Sequence, residues 1–146
     1  MRIVIYGIIL ALLFLAPVEQ AEIANLEPIQ AVFMGIEQGH VVLKTDTEDL
    51  GIGKTVEEAL ADMQQRSLGI VYLDTAEFLL VAENARESID RMQPILKGSA
   101  KVCLWDGEGT VADAAKYMDS HKIGTRLDKW ISSINLPKIK LETITK

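Results

Sequence analysis

Cysteine and histidine are scarce in this 146-residue chain, which has only Cys103, His40 and His121. A single thiol forms no internal disulfide, so the hydrophobic core must hold the fold together. A structural zinc site needs Cys and His residues clustered at short spacings, whereas these three are widely separated. The sequence therefore predicts no metal and no cofactor. Cys103, inside the apolar stretch KVCLW, is expected to be an inert core thiol.

Positive charge is also in short supply. Fifteen Lys and Arg residues stand against 21 Asp and Glu, which gives a net charge of −6. No basic run lies beside an aromatic residue, as the surfaces that bind nucleic acids require. We therefore expect no nucleic acid among the partners of this protein.

One long apolar run is present, and it lies at the N-terminus. Arg2 precedes an unbroken apolar stretch from Ile3 to Ala16, which is shorter than the roughly 20 residues of a membrane-spanning helix. We expect residues 1–21 to be a signal peptide or a membrane anchor, and the protein to be extracytoplasmic. Ala21 is the candidate cleavage position, but Glu19 stands where a small residue is preferred, so secretion and anchoring both remain open. An exported protein without disulfides is typical of a bacterial source.

The stretch GIGKT, residues 51–55, has some features of a phosphate-binding loop. That loop has the form G-x-x-x-x-G-K-[ST], and its first glycine lets backbone N–H groups face the phosphates. Glu48 occupies the position of the first glycine, and its carboxylate would repel phosphate. We therefore expect no nucleotide as a partner.

A helix start explains the same residues better. Thr55 and Glu58 have the T-x-x-E spacing of a capping box. Gly51 and Gly53 are expected to supply the turn that precedes the helix. The residues that follow form an apolar stripe at helical spacing, consisting of Val56, Ala59, Leu60 and Met63.

Predicted strands and helices alternate along the rest of the chain. Residues 29–34 and 40–45 are β-rich and flank a turn, which predicts a hairpin. Phe78–Ala82 is a continuous apolar run of the kind found in strands buried on both faces, and Ala100–Trp105 is predicted to be the next buried strand. A helix is expected between these two runs, starting at Asn84, so the two strands are predicted to be parallel.

Two more helices are predicted after the second buried strand. Thr110 is placed to cap one helix, which ends near His121. Thr125 is predicted to open a shorter helix. Its apolar face either caps the core or forms a candidate partner surface, and it consists of Leu127, Trp130, Ile131 and Ile134.

These segments predict the fold class. Residues 22–136 are expected to form a single α/β domain, with a β-hairpin and strand–helix–strand–helix units forming a mixed sheet covered by helices. Residues 137–146 are expected to be an extended C-terminal tail.

The order of the segments resembles a known family. GKTVEEALADM, EFLLVAENA, KVCLWDGEGTVADAAKYM and LPKIK, within residues 29–140, resemble the N-terminal domain of the Ger(x)C family, the C subunits of GerA-type spore germinant receptors. The resemblance implies an extracytoplasmic protein of a spore-forming bacterium, associated with germination or envelope complexes. Family members carry a lipobox Cys after the signal segment, which LFLAPVEQAE lacks, and they continue into later domains that the resemblance does not cover. Asp74 stands near the point where the family has a marked His.

The loop WDGEGT, residues 105–110, is the candidate ligand loop. Asp106 and Glu108 follow a buried strand and precede a helix, the place where open α/β sheets bind ligands. Two carboxylates there could act as acid and base, although a polar turn explains the same residues. The predicted function is an exported, non-catalytic interaction module that contacts a membrane or envelope protein or a second copy of itself. The alternative is a small exported hydrolase that uses Asp106 and Glu108.

Overall fold

The computed structural model describes residues 2–15, 26–67, 69–131 and 134–141. The helices and strands of this part of the chain are, in order, α1 (Arg2–Leu15), β1 (Leu26–Pro28), β2 (Ala31–Glu37), β3 (His40–Thr45), β4 (Leu50–Gly53), α2 (Val56–Arg66), β5 (Ile70–Tyr72), β6 (Phe78–Val81), a 3-10 helix (Glu83–Ser88), α3 (Ile89–Met92), β7 (Lys101–Trp105), α4 (Val111–His121), β8 (Thr125–Arg126), a 3-10 turn (Leu127–Lys129) and β9 (Lys138–Ile139).

An open mixed sheet organises the fold. Its strand order is β4-β3-β2-β6-β7-β8, and β9 also pairs with β7. Strands β2, β6 and β7 are parallel to one another, while β3 pairs antiparallel with β2 and β4 pairs antiparallel with β3. Strands β1 and β5 form a separate two-stranded parallel sheet. The predicted α/β class, the hairpin and the parallel pairing of the two buried strands are confirmed.

The two faces of the large sheet carry separate cores, because successive side chains of a strand point to opposite faces. We call the side with Val32, Leu79 and Val102 the first face, and it packs against α2 and the segment from Ala85 to Leu96. The second face packs against α4. Its strand residues are Ala31, Phe33, Phe78, Leu80, Cys103, Trp105 and Ile139.

Helix α2 begins with the predicted cap. Thr55 Oγ1 accepts a hydrogen bond from Glu58 N at 3.2 Å, and the Glu58 carboxylate accepts one from Lys54 N at 2.9 Å. The Glu58 side chain thus binds the N–H one residue before the N-cap, not that of Thr55 itself. The Thr55 side chain still satisfies a backbone donor that the first helical turn leaves free, and the Glu58 side chain satisfies the donor of the residue before the cap.

Removing the cap should destabilise the protein measurably. We expect Thr55→Ala to lower the free energy of unfolding by about 1 kcal/mol, because one backbone donor loses its acceptor. Lys54→Ala is the matched control, since Lys54 contributes only its backbone N–H to the cap. Urea denaturation compares the two variants. The reverse ranking, or protection of the protein by ATP against thermal unfolding, would contradict the assignment of GIGKT as a strand and cap.

Gly51 and Gly53 are strand residues, so the expectation that they form a turn is wrong. A Cβ atom on Gly51 would lie 2.1 Å from Ala59 O and 2.7 Å from Met63 Cβ. On Gly53 it would lie 2.5 Å from Ala59 N. Both positions therefore need glycine because the backbone of α2 lies directly against β4.

Strand β4 is the edge of the large sheet, and a side chain of α2 covers part of it. Asp62 Oδ2 accepts a hydrogen bond from Ile52 N at 2.8 Å and lies 3.0 Å from Arg66 Nε. The hydrogen bond from Ile52 N, followed by the contact with Arg66, lowers the pKa of Asp62 from its ordinary value. The outward backbone N–H of Ile52 is thus occupied within the chain.

The prediction of a helix that starts at Thr125 is wrong. Thr125 and Arg126 pair with β7, and only one 3-10 turn follows before Trp130 returns to an extended conformation. Leu127 N donates to Ala100 O at 2.7 Å, and Asp128 N donates to Gly98 O at 3.0 Å. These bonds tie the segment to the strand beside it, so its backbone donors are not available for an α-helix.

The prediction that Asn84 caps a helix is also wrong. The 3-10 helix that precedes α3 starts after Ala82, with no side-chain hydrogen bond at its N-terminus. The Asn84 side chain instead accepts from Ile36 N at 3.3 Å and donates to Ile36 O at 2.8 Å. Asn84 therefore connects this segment to the end of β2.

The residues expected to form a C-terminal tail include a strand. Lys138 and Ile139 pair in parallel with Leu104 and Trp105 of β7, so this part adds to the sheet. Residues 142–146 of the expected tail lie outside the described residues.

Helix α1 exposes apolar side chains on all of its sides. Every side chain described from Arg2 to Leu12 is exposed, and most of them are Ile, Leu or Val. The helix has 14 residues. Within the described ranges, we find no helix with the length and apolar character needed to cross a membrane. Residues 16–21 of the predicted signal segment lie outside those ranges.

Candidate functional site

The predicted ligand loop lies between β7 and α4, as expected. Asp106 Oδ1 accepts a hydrogen bond from Glu108 N at 3.0 Å, and both carboxylates are exposed. Thr110 Oγ1 accepts from Asp113 N at 3.1 Å and caps α4 as predicted. Asp106 therefore has a structural role, since its side chain closes the turn that leads into the helix.

Beside this loop, a groove of about 280 Å³ opens on the second face of the sheet. We call it the second-face groove. Phe33 of β2 and Trp105 of β7 form its aromatic floor, with ring centroids 5.2 Å apart and an interplanar angle of 82°. This edge-to-face contact is a favourable geometry for two aromatic rings.

Two glycines let the loop backbone pass close to the aromatic floor. Gly107 and Gly109 have φ values of 86° and 105°, which side-chain-bearing residues rarely adopt. A Cβ on Gly107 would lie 3.4 Å from Phe33 Cζ. On Gly109 it would lie 3.1 Å from Leu141 Cδ1 and 3.9 Å from Trp105 Cζ2. A larger residue at either position would narrow the groove and strain the backbone.

The indole N–H of Trp105 is a hydrogen-bond donor without an acceptor among the described residues. Its side chain is only 2% exposed, and Nε1 has no hydrogen-bond partner in the part of the chain that the structure describes. A buried donor without an acceptor costs roughly 1–3 kcal/mol. Cζ2 lies 3.9 Å from the point where a Cβ on Gly109 would stand, and it is two bonds from Nε1, so the Nε1 edge of the indole lies on the Gly109 side of the groove.

The mouth of the groove is acidic on both sides. Glu48 and Asp49 line it next to Lys44, and Asp106 and Glu108 belong to the loop on the other side. Glu48 has a φ value of 70° in the turn that connects β3 to β4. The lining thus contains two carboxylates and one ammonium group, and two more carboxylates stand next to the lining glycines Gly107 and Gly109 in the loop.

The four residues of the predicted partner surface do not lie on one face. Leu127 is fully buried and Trp130 is 4% exposed, and both belong to the first-face core. Ile131 is 58% exposed. Ile134 is half-buried, and its carbonyl oxygen accepts a hydrogen bond from Arg86 Nη2. Of this set, Ile131 is the member whose side chain is mainly in solvent.

Cys103 lies inside the second-face core, as expected. Its thiol donates to Pro137 O at 3.1 Å. Burial raises its pKa to about 11, and a hydrogen bond from the Leu104 backbone opposes part of this shift. A thiol with this pKa is protonated at neutral pH and is a poor nucleophile.

The histidines lie apart from the groove residues described above. His40 Nδ1 is 3.1 Å from Gln38 O in the hairpin, and His121 stacks on Tyr117 at the end of α4. Across residues 2–15, 26–67, 69–131 and 134–141, no group of three or more His, Cys, Asp or Glu side chains could hold a metal ion.

A second depression, of about 410 Å³, lies where β6 and β7 begin. Its lining includes Lys97, Lys101 and Lys122 together with Glu77 and Asp119. Lys97 Nζ lies 3.8 Å from Glu77 Oε1, so part of this charge is already paired. This depression is lined mainly by charged groups, whereas the second-face groove has an aromatic floor.

The comparisons with known proteins do not assign a family. Protein-family models, curated proteins and solved structures gave no match to this chain. The function is therefore argued from the described residues and from the sequence segments given above.

Proposed function

We propose that this protein is an exported, non-catalytic interaction module of a spore-forming bacterium, associated with germination or envelope complexes. The observation that carries the proposal is helix α1, whose apolar side chains are exposed on every side. Apolar surface in water costs about 25 cal/mol per Å², so a helix of this kind needs a membrane or another protein around it. Export through a membrane, followed by cleavage or retention, accounts for such a segment.

The germination part of the proposal rests on the Ger(x)C resemblance. It is carried by GKTVEEALADM, EFLLVAENA, KVCLWDGEGTVADAAKYM and LPKIK. These segments include the β4–α2 junction, β6, the β7–α4 junction and β9, and thus extend across the α/β domain.

The role of Asp106 favours interaction over hydrolysis. Its Oδ1 is engaged by the Glu108 backbone, and both carboxylates lie in solvent, where their interaction with each other is weakened. The second-face groove offers instead an aromatic floor with an acidic mouth, which is suited to binding.

Export is testable directly. We expect a C-terminally tagged copy in a Gram-positive host to be found outside the cytoplasm, and mass spectrometry of its N-terminus to show whether cleavage follows Ala21. Ile9→Asp should abolish export, because a carboxylate in the middle of the apolar run costs about 2.5–3.5 kcal/mol on membrane insertion. Ile9→Val, which keeps the run apolar, is the matched control. Recovery of the full-length unmodified protein as a soluble cytoplasmic species would overturn the proposal.

A further inference from the structure

We propose that the second-face groove binds a basic segment of a partner protein, in which one large apolar side chain is flanked by Lys or Arg residues. The inference rests on the proposed function as an interaction module and names the surface and the chemistry of its partner. Three observations carry it: the aromatic floor, the acidic mouth and the unsatisfied donor of Trp105.

The floor selects an apolar anchor. Phe33 and Trp105 form its aromatic part, and Leu50 and Val111 add aliphatic walls. A groove of about 280 Å³ is large enough for one bulky side chain but not for a helix or a domain. Large side chains that fill such pockets commonly carry most of the binding energy of an interface.

The mouth selects positive charge beside that anchor. Glu48 and Asp49 outnumber Lys44 in the lining. Asp106 and Glu108 stand next to the lining glycines of the loop, so the lining and this loop together carry a charge of 1 − 4 = −3. These groups are exposed or half-buried, so cations of the partner can pair with them while remaining hydrated. Complementary charge of this kind chiefly sets partner choice and association rate.

The indole supplies a polar contact for the backbone of the segment. Trp105 Nε1 has no acceptor within the described residues, and its edge of the ring lies at the Gly109 end of the groove. Leu141 is half-buried at that end. A carbonyl oxygen of a peptide docked at this end would accept a hydrogen bond from Nε1 and remove the cost of the buried unpaired donor.

The test uses the full chain with Trp130→Phe in a non-ionic detergent, so that Trp105 is the one remaining tryptophan of the two. The probe is the capped peptide Lys-Lys-Phe-Lys-Lys, titrated while the emission of Trp105 is recorded. We expect saturable binding with a shift of the emission maximum. Lys-Lys-Ala-Lys-Lys and Glu-Glu-Phe-Glu-Glu should each bind at least about tenfold more weakly, a difference of the size that a lost anchor produces.

Charge variants separate the groove from general attraction to an acidic protein. Glu48→Asn, which suits the positive φ, and Glu108→Gln should each weaken binding about twofold to fivefold at low salt. Lys44→Glu should tighten it by a similar factor. Glu87→Gln, on the exposed side of the 3-10 helix of the first face, is the matched control and should change nothing.

Two results would overturn the inference. Equal binding of the Phe and Ala peptides would show that the aromatic floor does not bind the large apolar side chain. Equal effects of Glu108→Gln and Glu87→Gln would show that the peptide does not bind at the mouth of the groove. A protein that is exported but binds none of these peptides would exclude the groove and leave the proposed function intact. A cytoplasmic protein that binds them would exclude the proposed function and leave the groove intact.

Discussion

Replacing Trp130 with alanine is expected to lower the free energy of unfolding by about 3–5 kcal/mol. The side chain is 4% exposed and packs in the first-face core, so truncation removes a large buried ring and leaves a cavity beside the sheet. The backbone there returns to an extended conformation after a single 3-10 turn. Urea denaturation of the purified variant measures the loss.

Two controls identify the cause of that loss. Trp130→Phe should cost only about 1 kcal/mol, because Nε1 of Trp130 makes no hydrogen bond within the described residues and most of the ring volume is kept. Ile131→Ala, one residue along and 58% exposed, should stay within about 0.5 kcal/mol of the wild type. If Trp130→Ala unfolds like the wild type but loses association with a partner, Trp130 is an interface residue and the core assignment fails.

Gly51→Ala is expected to cost about 3 kcal/mol or more, at the upper end of the range for overpacked cores. The added methyl group would lie 2.1 Å from Ala59 O and 2.7 Å from Met63 Cβ, so neither a rotamer change nor a small shift can make room. Helix α2 would have to move away from β4, and the first-face core would open beneath it.

The neighbouring residue provides the control for this variant. Ile52→Ala removes atoms from a side chain that is 38% exposed in the same strand and should cost about 1 kcal/mol or less. Circular dichroism during thermal unfolding compares the two variants. Unchanged stability of Gly51→Ala would mean that α2 does not lie directly on β4, and the role assigned to this glycine would be wrong.

Local signals predicted the elements that depend on local bonds. Thr55 and Thr110 cap their helices because an N-cap hydroxyl and the N–H three residues later are fixed by the sequence spacing alone. The buried strands Phe78–Val81 and Lys101–Trp105 could also be predicted from local sequence, since apolar runs such as FLLV and VCLW are typical of strands covered on both faces.

Long-range bonds account for the wrong predictions. The spacing of Leu127 and Trp130 suits a helix, but the bond from Leu127 N to Ala100 O belongs to the sheet edge and cannot be inferred from that spacing. Asn84 likewise has a capping pattern but binds Ile36, 48 residues away. In both cases a tertiary contact outweighs a weak local preference.

The candidate site was predicted only in part. The loop with Asp106 and Glu108 could be placed from its position after a strand and before a helix, but the groove beside it depends on the pairing of distant strands. Phe33 pairs with Leu80, which pairs with Cys103, so Trp105 lies two positions farther along the same face. Without that register, nothing in the sequence brings Phe33 and Trp105 together.

The hydrogen bond from Ile52 N to Asp62 also bears on whether another chain can add to the sheet at β4. An edge strand with free N–H groups is a template to which another chain can add, and here a side chain of the same molecule occupies that donor. The folded pKa of Asp62 lies below its ordinary value of 3.8, so the contribution of this contact is complete above that pH and is lost as acid protonates the carboxylate. Near neutral pH the Asp62 carboxylate therefore blocks the Ile52 donor against strand addition by another chain. In strong acid the carboxylate is protonated and this protection is lost.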